Sequence, residues 1–419
     1  MKKKERIKRF EELRLKMEIL DIVVNKEPNN VQKTEELGLV KTELETLNNY
    51  EAEGAAIRCK ANYSVMGERP TRYFCSLEKN NATNRNISRL NINGQISRNQ
   101  KEIENEMLRY YKSLYKHPGK NEMSIEEFLG EDYASLEKIT EKEKLSCEGE
   151  ITMIEIGTYL KKIRNNKSPG PDGFTGEFFK FFYPDIKIRL FNSIKQTYAD
   201  KKLPISQNLG ITTLLPKGNK SKELLKNLRP LTLLNTYYKI ISGVIAERIK
   251  PVLNRIIHSD QKGFLKGRYI GEAIRSTYDT IEYAKSNNLS GAILLIDFSK
   301  AYDSLSHFFI KSSLKAFNFG ESICRWVDIL ISDFFSVINH AGNISERFIL
   351  ATGTKQGDPI SGYLYILGSE ILAHKLRCKH SDVGFQFKYG FNLLEIYADD
   401  LTIFLKANEH NLNLLEGNM

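Results

Sequence analysis

The sequence predicts an α+β protein with an antiparallel sheet. Strand-like and helix-like stretches follow one another irregularly, without the regular alternation of a doubly wound sheet. Two stretches read as hairpins. "ISRLNINGQISRN" (87–99) alternates apolar residues around Asn93-Gly94, a dipeptide that tolerates the positive φ of a tight turn. "EIYADDLTIFL" (395–405) sets two short apolar runs on either side of Asp399-Asp400.

From the N-terminus, "RFEELRLKMEILDIVV" puts Phe10, Leu13, Met17, Leu20 and Val23 on one helical stripe. "KTEELGLVKTELETLNNYEAEGAAIRCKAN" reads as a second helix, so residues 1–60 are expected to form a charged helical hairpin or short coiled coil. The basic start is open between a solvated face, a nuclear signal and an RNA contact. After the 87–99 hairpin, "QKEIENEMLRYYKSLYK" reads as a helix with an aromatic face. Residues 120–150 are acidic and loop-like. A helix follows over 151–163, then a Pro/Gly turn and an aromatic helix in "NNKSPGPDGFTGEFFKFF".

A strand is expected over 211–215, a basic loop over 217–226, a second strand near 231–234, and a long helix ending before Pro251, which lacks the N–H a helix interior needs. "GAILLIDFSKAYDSLSH" reads as a buried strand, 292–296, meeting Asp297 at its end. In "GTKQGDPISGYLYILGSEILAHKL", Asp358 suits an N-cap and Pro359 a first helical position.

The bulk numbers narrow the function. A chain of 419 residues allows two to four domains. Its formal net charge of +10 favours a polyanionic partner, nucleic acid first and an anionic membrane surface second. No stretch approaches the roughly 20 apolar residues of a membrane helix, and "MKKKERIKRF" has no apolar segment behind it, so it is not a secretory signal. The five cysteines form no CxxC pair, which argues for a reducing compartment and against zinc. The expected location is nucleus, cytoplasm or both.

The chemistry centres on acids at strand ends. Asp297 follows "AILLI"; Asp399 and Asp400 lie 102 residues further on (399 − 297) and meet it only in the fold. Adjacent carboxylates repel one another. A divalent cation removes that cost, and two Mg²⁺ held by such acids suit in-line phosphoryl transfer. The bland alternatives are a solvated Asp-Asp turn and an Asp297 that merely caps a helix. "PKGNKSK" fails the spacing of a P-loop, and no HExxH, EF-hand loop or Gly-x-Ser-x-Gly occurs.

Taken together, "NNKSPGPDGF", "LPKGNKSKELLKNLRPLTLLNTYYKI", "DQKGFLKGRYIGEAI", "LLIDFSKAYDSLSH", "GTKQGDPISGYLYIL" and "IYADDLTIF" stand in the order found in reverse transcriptases. From about residue 60 onward the chain resembles the polymerases of LINE-type (non-LTR) retrotransposons, to which "SPGPDGF" and "GERPTRYFCSLEKNN" (67–81) are also similar. Group II intron maturases are the nearest other relatives. An RNA-dependent RNA polymerase fits less well, because those usually carry Gly-Asp-Asp where this chain has Tyr397-Ala398 before the acids.

The resemblance implies a right-hand fold of fingers and palm. It divides the chain into a helical region at 1–60, a linker and N-terminal extension of the fingers at 61–197, and a reverse transcriptase domain at 198–419. The chain stops nineteen residues after Asp400 (419 − 400), so the resemblance implies a piece without thumb or endonuclease. By resemblance, Asp297, Asp399 and Asp400 are catalytic and, with the Phe298 carbonyl, hold two Mg²⁺, for which Mn²⁺ can substitute. Lys217 and Arg229 match the triphosphate-holding positions, and Tyr302 an aromatic gate beneath the sugar. Gln356 and Gly357 match residues at the nascent pair, and Gln261, Gly263 and Arg268 a template-side element. The implied partners are an RNA template, a DNA primer or target, and dNTPs, with no membrane. The expected activity is RNA-directed DNA polymerisation; the alternative is a non-catalytic nucleic-acid-binding remnant of such an element.

Overall fold

A computed structural model describes residues 3–26, 30–46 and 87–407, positions 31, 45, 118, 120, 121, 219, 381, 388 and 389 excepted. The chain divides into two compact units, Met1–Asn84 and Arg85–Met419. In the first, the helix Lys3–Lys26 is followed by helical residues 32–44. Leu13 and Leu20 pack with Leu37, Val40 and Leu44, and Met17 and Val24 flank them. Val24, rather than Val23, joins this stripe. The stretch 67–81, Cys59 and Cys75 lie outside the described residues.

The second unit opens with the hairpin β1 (Leu90–Ile92) and β2 (Gln95–Ser97). Asn93 and Gly94 both have positive φ, 52° and 90°, as a two-residue hairpin turn of matching twist requires. The helix Gln100–Leu114 buries Ile103, Met107 and Tyr111. The acidic stretch expected as loop instead carries the helices Ile125–Leu129 and Glu141–Cys147. A Thr140–Glu143 capping box starts the second of them. Short apolar anchors (Ile125, Leu129, Cys147) and side-chain caps suffice to order a segment whose composition reads as loop.

The helices Met153–Lys162 and Gly176–Asp200 follow. The second runs through the boundary expected at 197/198. Thr197 there is buried, its hydroxyl 2.9 Å from that of Tyr237, so one core spans both sides. β3 (Leu209–Pro216) pairs antiparallel with β4 (Leu228–Leu233) and parallel with β6 (Phe335–His340). The small strands β7 (Asn343–Ile344) and β8 (Phe348–Ile349) complete this five-stranded sheet. The helix Thr236–Ile256 does not stop before Pro251. Val252, Leu253 and Ile256 are buried beyond it, and that burial offsets the backbone bond the proline cannot make.

The sheet that matters for chemistry has three strands in the order β11 (Leu394–Tyr397), β12 (Asp400–Lys406), β5 (Gly291–Asp297), all antiparallel. Leu394, Ile396, Leu401, Ile403 and Leu405 face Ala373 and Leu376 of the helix Ser361–Lys379. β5 is not the buried strand its composition suggests. It sits at the edge, its residues alternate, and Leu295 is 75% exposed. A sheet covered on one face only leaves every second residue in water. A further hairpin, β9 (Phe385–Phe387) and β10 (Gly390–Asn392), lies before β11 in the chain. Among the described residues no helix is long and apolar enough to cross a membrane.

Candidate active site

Asp297 is the last residue of β5 and Asp400 the first of β12, and the ladder pairs them directly. Asp399 lies between β11 and β12 in the two-residue turn Ala398-Asp399, closed by the pair Tyr397–Asp400. Ala398 has φ of 59°, a conformation that favours glycine at the first position of such a turn. Asp297, Asp399 and Asp400 therefore lie at one end of the three-stranded sheet. Burial, Asp399 and Asp297 all push the Asp400 pKa above the ordinary carboxylate value.

These acids line a cavity of about 800 Å³. Lys217, Lys220 and Arg229 enter it from the β3–β4 side, and Phe298, Lys300 and Tyr302 from the segment after β5. Gln356 and Gly357 come from the turn before the helix Ser361–Lys379. Arg229 is exposed and opposes Leu215 across the β3–β4 ladder. The Lys217 backbone N–H donates to Asn227 O at 2.9 Å, which anchors the start of the basic loop. A cluster of cations facing a cluster of acids across a cleft suits a phosphate chain bridged by divalent metal. A larger cavity, about 990 Å³ around Asp260, Tyr283 and Arg377, holds none of these groups. Asp297, Asp399 and Asp400 line the smaller of these two cavities.

The donors suit a hard divalent cation, since all are oxygens. Among the described residues no group of three or more His, Cys, Asp or Glu is drawn close enough to form a ready-made metal cage. Mg²⁺ needs none, because it uses one or two carboxylates and completes its shell with water and substrate phosphate.

Tyr302 forms one wall. Its ring stacks on Tyr365 with centroids 4.5 Å apart and meets Phe264 nearly edge-on at 6.3 Å. The turn carrying Gln356 and Gly357 is pinned to β4, where the Thr232 N–H donates to Gln356 O at 3.0 Å. Gly357 has φ of 108°, and a Cβ there would lie 2.9 Å from Thr232 O, so the position requires glycine. Asp358 does not cap the helix directly, for the helix starts at Ser361. Its carboxylate instead accepts from Tyr238 Oη at 2.7 Å and from Ser242 Oγ, with Ile360 N at 3.3 Å. Buried Lys355 donates to Leu330 O at 2.8 Å, and burial brings its pKa down to about 8.

Residues 215–417 match the family described as reverse transcriptase (RNA-dependent DNA polymerase). Over that stretch, a little under half of its length, the chain is similar to reverse transcriptases. It is 28% identical over 364 residues to the transposon TX1 uncharacterized 149 kDa protein of Xenopus laevis, covering 87% of this chain and 27% of that one. It is 26% identical over 283 residues to the retrovirus-related Pol polyprotein from type-2 retrotransposable element R2DM of Drosophila melanogaster, covering 65% and 26%. The probable RNA-directed DNA polymerase from transposon X-element of the same fly is 27% identical over 274 residues, covering 61% and 28%. The chain thus spans about a quarter of the length of these relatives. Enzymes of this family generally depend on divalent metal, and the family implies a fold of palm and fingers.

The expected template-side residues lie apart from the cavity. Gln261 is 1% exposed and its amide is engaged by the backbone of Ala398. The Arg268 guanidinium donates to four backbone carbonyls, of Asn254, Ile257, His258 and Gln261, at 2.5–3.0 Å. Gly263 packs so closely that a Cβ would lie 2.6 Å from Ala398 N. Each of these three has an internal use.

Two residues at the site escape sequence reasoning. Phe264, half-exposed with φ of 60°, lines the cavity against Gly362. It follows Gly263 in "QKGF", and an aromatic in that setting is the signal that was available. Asp303, fully buried, accepts from Tyr115 Oη at 2.6 Å and from Gln356 Nε2 at 3.3 Å. Burial raises its pKa, although Tyr115 and the nearby Lys300 and Lys217 oppose that rise. It ties the helix Gln100–Leu114 region to Gln356 in the cavity wall, and nothing local in "KAYDS" announces this.

Proposed function

We propose that this chain is the fingers-and-palm part of an RNA-directed DNA polymerase of a non-LTR, LINE-like retrotransposon. The observation that carries the reading is the convergence of Asp297, Asp399 and Asp400 with Lys217, Arg229, Tyr302, Gln356 and Gly357 on one cavity. Its substrates are a primer 3′-OH, an RNA template and dNTPs, and it acts in the nucleus or cytoplasm.

Arg229 and Lys217 bind the triphosphate, the guanidinium by a two-pronged contact to phosphate oxygens. Tyr302 lies beneath the sugar, where its ring excludes a 2′-hydroxyl. The Gln356–Gly357 turn lets backbone approach the new base pair. Asp297, Asp399 and Asp400, with the Phe298 carbonyl, would hold two Mg²⁺, which when bound lower the barrier to forming the 3′-alkoxide and to losing pyrophosphate. The 3′-oxygen, its proton given up to water, forms a bond to the α-phosphorus, and the bond from that phosphorus to the bridging oxygen of the β-phosphate breaks. Pyrophosphate carries away the negative charge, which the two cationic side chains stabilise.

The test is primer extension on an RNA template with dNTPs and Mg²⁺, parent chain beside an Asp399→Ala, Asp400→Ala double variant. Extension by the parent alone supports the proposal. Equal, salt-dependent binding of template–primer by both, with no extension by either, would replace it with the reading of a binding remnant.

A further inference from the structure

We infer that Gln261 is a positioning residue for the catalytic turn: its buried amide holds Ala398 in a left-handed conformation and thereby sets where Asp399 points. The inference rests on the polymerase reading above and adds to it a residue that touches neither substrate nor metal.

The geometry is a clamp with three bonds. Gln261 Oε1 accepts from Ala398 N at 2.9 Å and from Gly263 N at 2.8 Å. Gln261 Nε2 donates to Ala398 O at 3.4 Å. One side chain thus meets both polar backbone atoms of the residue with φ of 59°. A non-glycine residue in that region persists only where its surroundings hold it there. An amide, with one acceptor and one donor end, can grip an N–H and a C=O of the same residue.

The segment carrying Gln261 is itself fixed against the hairpin. Gln261 bridges to Ile396 in parallel fashion beside β11. The Lys262 N–H donates to Ile396 O at 2.7 Å, and the Ile396 N–H donates to Asp260 O at 3.0 Å. Gly263 lacks the Cβ that would strike Ala398 N. Behind the segment, Arg268 gathers the carbonyls of 254, 257, 258 and 261. The arrangement runs from Arg268 through Gln261 to Ala398 and so to Asp399. It is hydrogen-bonded from Arg268 to Ala398 and ends one residue from a carboxylate.

The experiment is a cycle of Gln261→Met and Ala398→Gly in the full chain, each variant purified and compared with the parent. Methionine keeps the length and apolar bulk but removes all three bonds. Glycine removes the cost of positive φ, so the turn no longer needs a clamp. Primer extension gives kcat, KM for dNTP and Kd for template–primer, and Mn²⁺ binding to the chain without nucleic acid is followed by electron paramagnetic resonance. Loss of an outer support of this kind costs about 10–100-fold in metal affinity or activity. For Gln261→Met we expect a fall of that size in kcat and in Mn²⁺ affinity, with Kd for template–primer unchanged. In the Ala398→Gly background the same substitution should cost much less in both readouts.

Equal losses in the two backgrounds, or a loss confined to template–primer Kd, would overturn the inference. If Gln261→Met alone fails to fold while the double variant folds and binds Mn²⁺, the turn is the site of action and the inference stands; failure of both to fold overturns it. A parent that binds Mn²⁺ but extends no primer defeats the polymerase reading and leaves the Mn²⁺ cycle to judge the clamp.

Discussion

Asp297 and Asp400 stand directly opposite one another in the β5–β12 ladder, the last residue of one strand facing the first of the other. Opposed residues of such a ladder share a face, with Cβ atoms about 4.5–5.5 Å apart, and like charges there are destabilising. Asp399 adds a third carboxylate one residue away. The fold therefore concentrates negative charge at this end of the sheet, and Asp399 and Asp297 both act on Asp400.

That repulsion is measurable without activity. The Asp400 pKa is raised by burial and then by Asp399 and Asp297. The folded chain holds that proton more tightly than the unfolded one, so stability falls as pH rises from the ordinary value of 3.8 through the raised value. At pH 7 the full cost is present. Asp400→Asn should therefore raise the thermal midpoint in metal-free buffer at pH 7 by about 1–2 °C, the gain fading towards pH 4. Mg²⁺ should raise the midpoint of the parent more than that of the variant. Scanning calorimetry with and without EDTA checks both. Primer extension by the variant should fall roughly a thousand-fold, the loss of several kcal/mol of charge stabilisation.

Tyr302 is braced from two sides, by the stacked ring of Tyr365 and the edge of Phe264. A ring so held cannot swing aside for a 2′-hydroxyl. Tyr302→Val should raise ribonucleotide use relative to deoxynucleotide by about 10–200-fold, the range that steric exclusion of a small group supplies. The measurement is kcat/KM for matched rNTP and dNTP. Removing the brace through Tyr365→Ala should move the ratio the same way by less.

Arg229 has no acidic partner among the described residues and stands exposed at the cavity wall. Its cost on removal should fall on nucleotide binding. A charge-assisted contact is worth about 1.5–3 kcal/mol, so Arg229→Ala should raise KM for dNTP by about 10–150-fold with template–primer affinity little changed. Arg229→Lys should recover only part, because an ammonium lacks the planar fork. Steady-state kinetics at fixed template–primer decides this.

The acids of the site were legible because their signal is local: an apolar strand that ends in Asp297, and a hairpin whose turn holds Asp399 and Asp400. The cavity residues were legible through ordered motifs. What the sequence hides depends on distance. The partner of Gln261 is 137 positions away, and Asp303 is held by Tyr115 and Gln356, 188 and 53 positions away. Composition also cannot say which face of a sheet is covered, so the apolar run of β5 read as buried although Leu295 is mostly exposed. Pro251 misled for a related reason. Whether a helix survives a proline depends on what its next turn buries, and Val252, Leu253 and Ile256 are all in the core.

The support beneath the catalytic hairpin contains one more testable element. Arg377 Nη1 donates to Asp260 Oδ2 at 2.7 Å, and Nη2 donates to Glu370. Both carboxylates are buried, and Asp260 also faces His258 Nδ1 at 3.0 Å. Burial pushes the Asp260 pKa up, but His258 and Arg377 together outweigh it and hold it below the ordinary value. Glu370 is different: burial dominates and raises its pKa, with Arg377 opposing. One arginine thus serves two buried acids, and the Asp260 carbonyl in turn receives the Ile396 N–H of the hairpin. Arg377→Met would leave both acids without their shared cation. Breaking a buried pair in this way costs about 3–5 kcal/mol. Glu370, already raised, would then rise further, and Asp260 would keep only His258 against its burial, so the deficit grows as pH rises and is smaller at pH 5 than at pH 7. Urea unfolding at the two pH values tests this. A deficit independent of pH would mean that Arg377 matters through the packing of its stem and not through its charge.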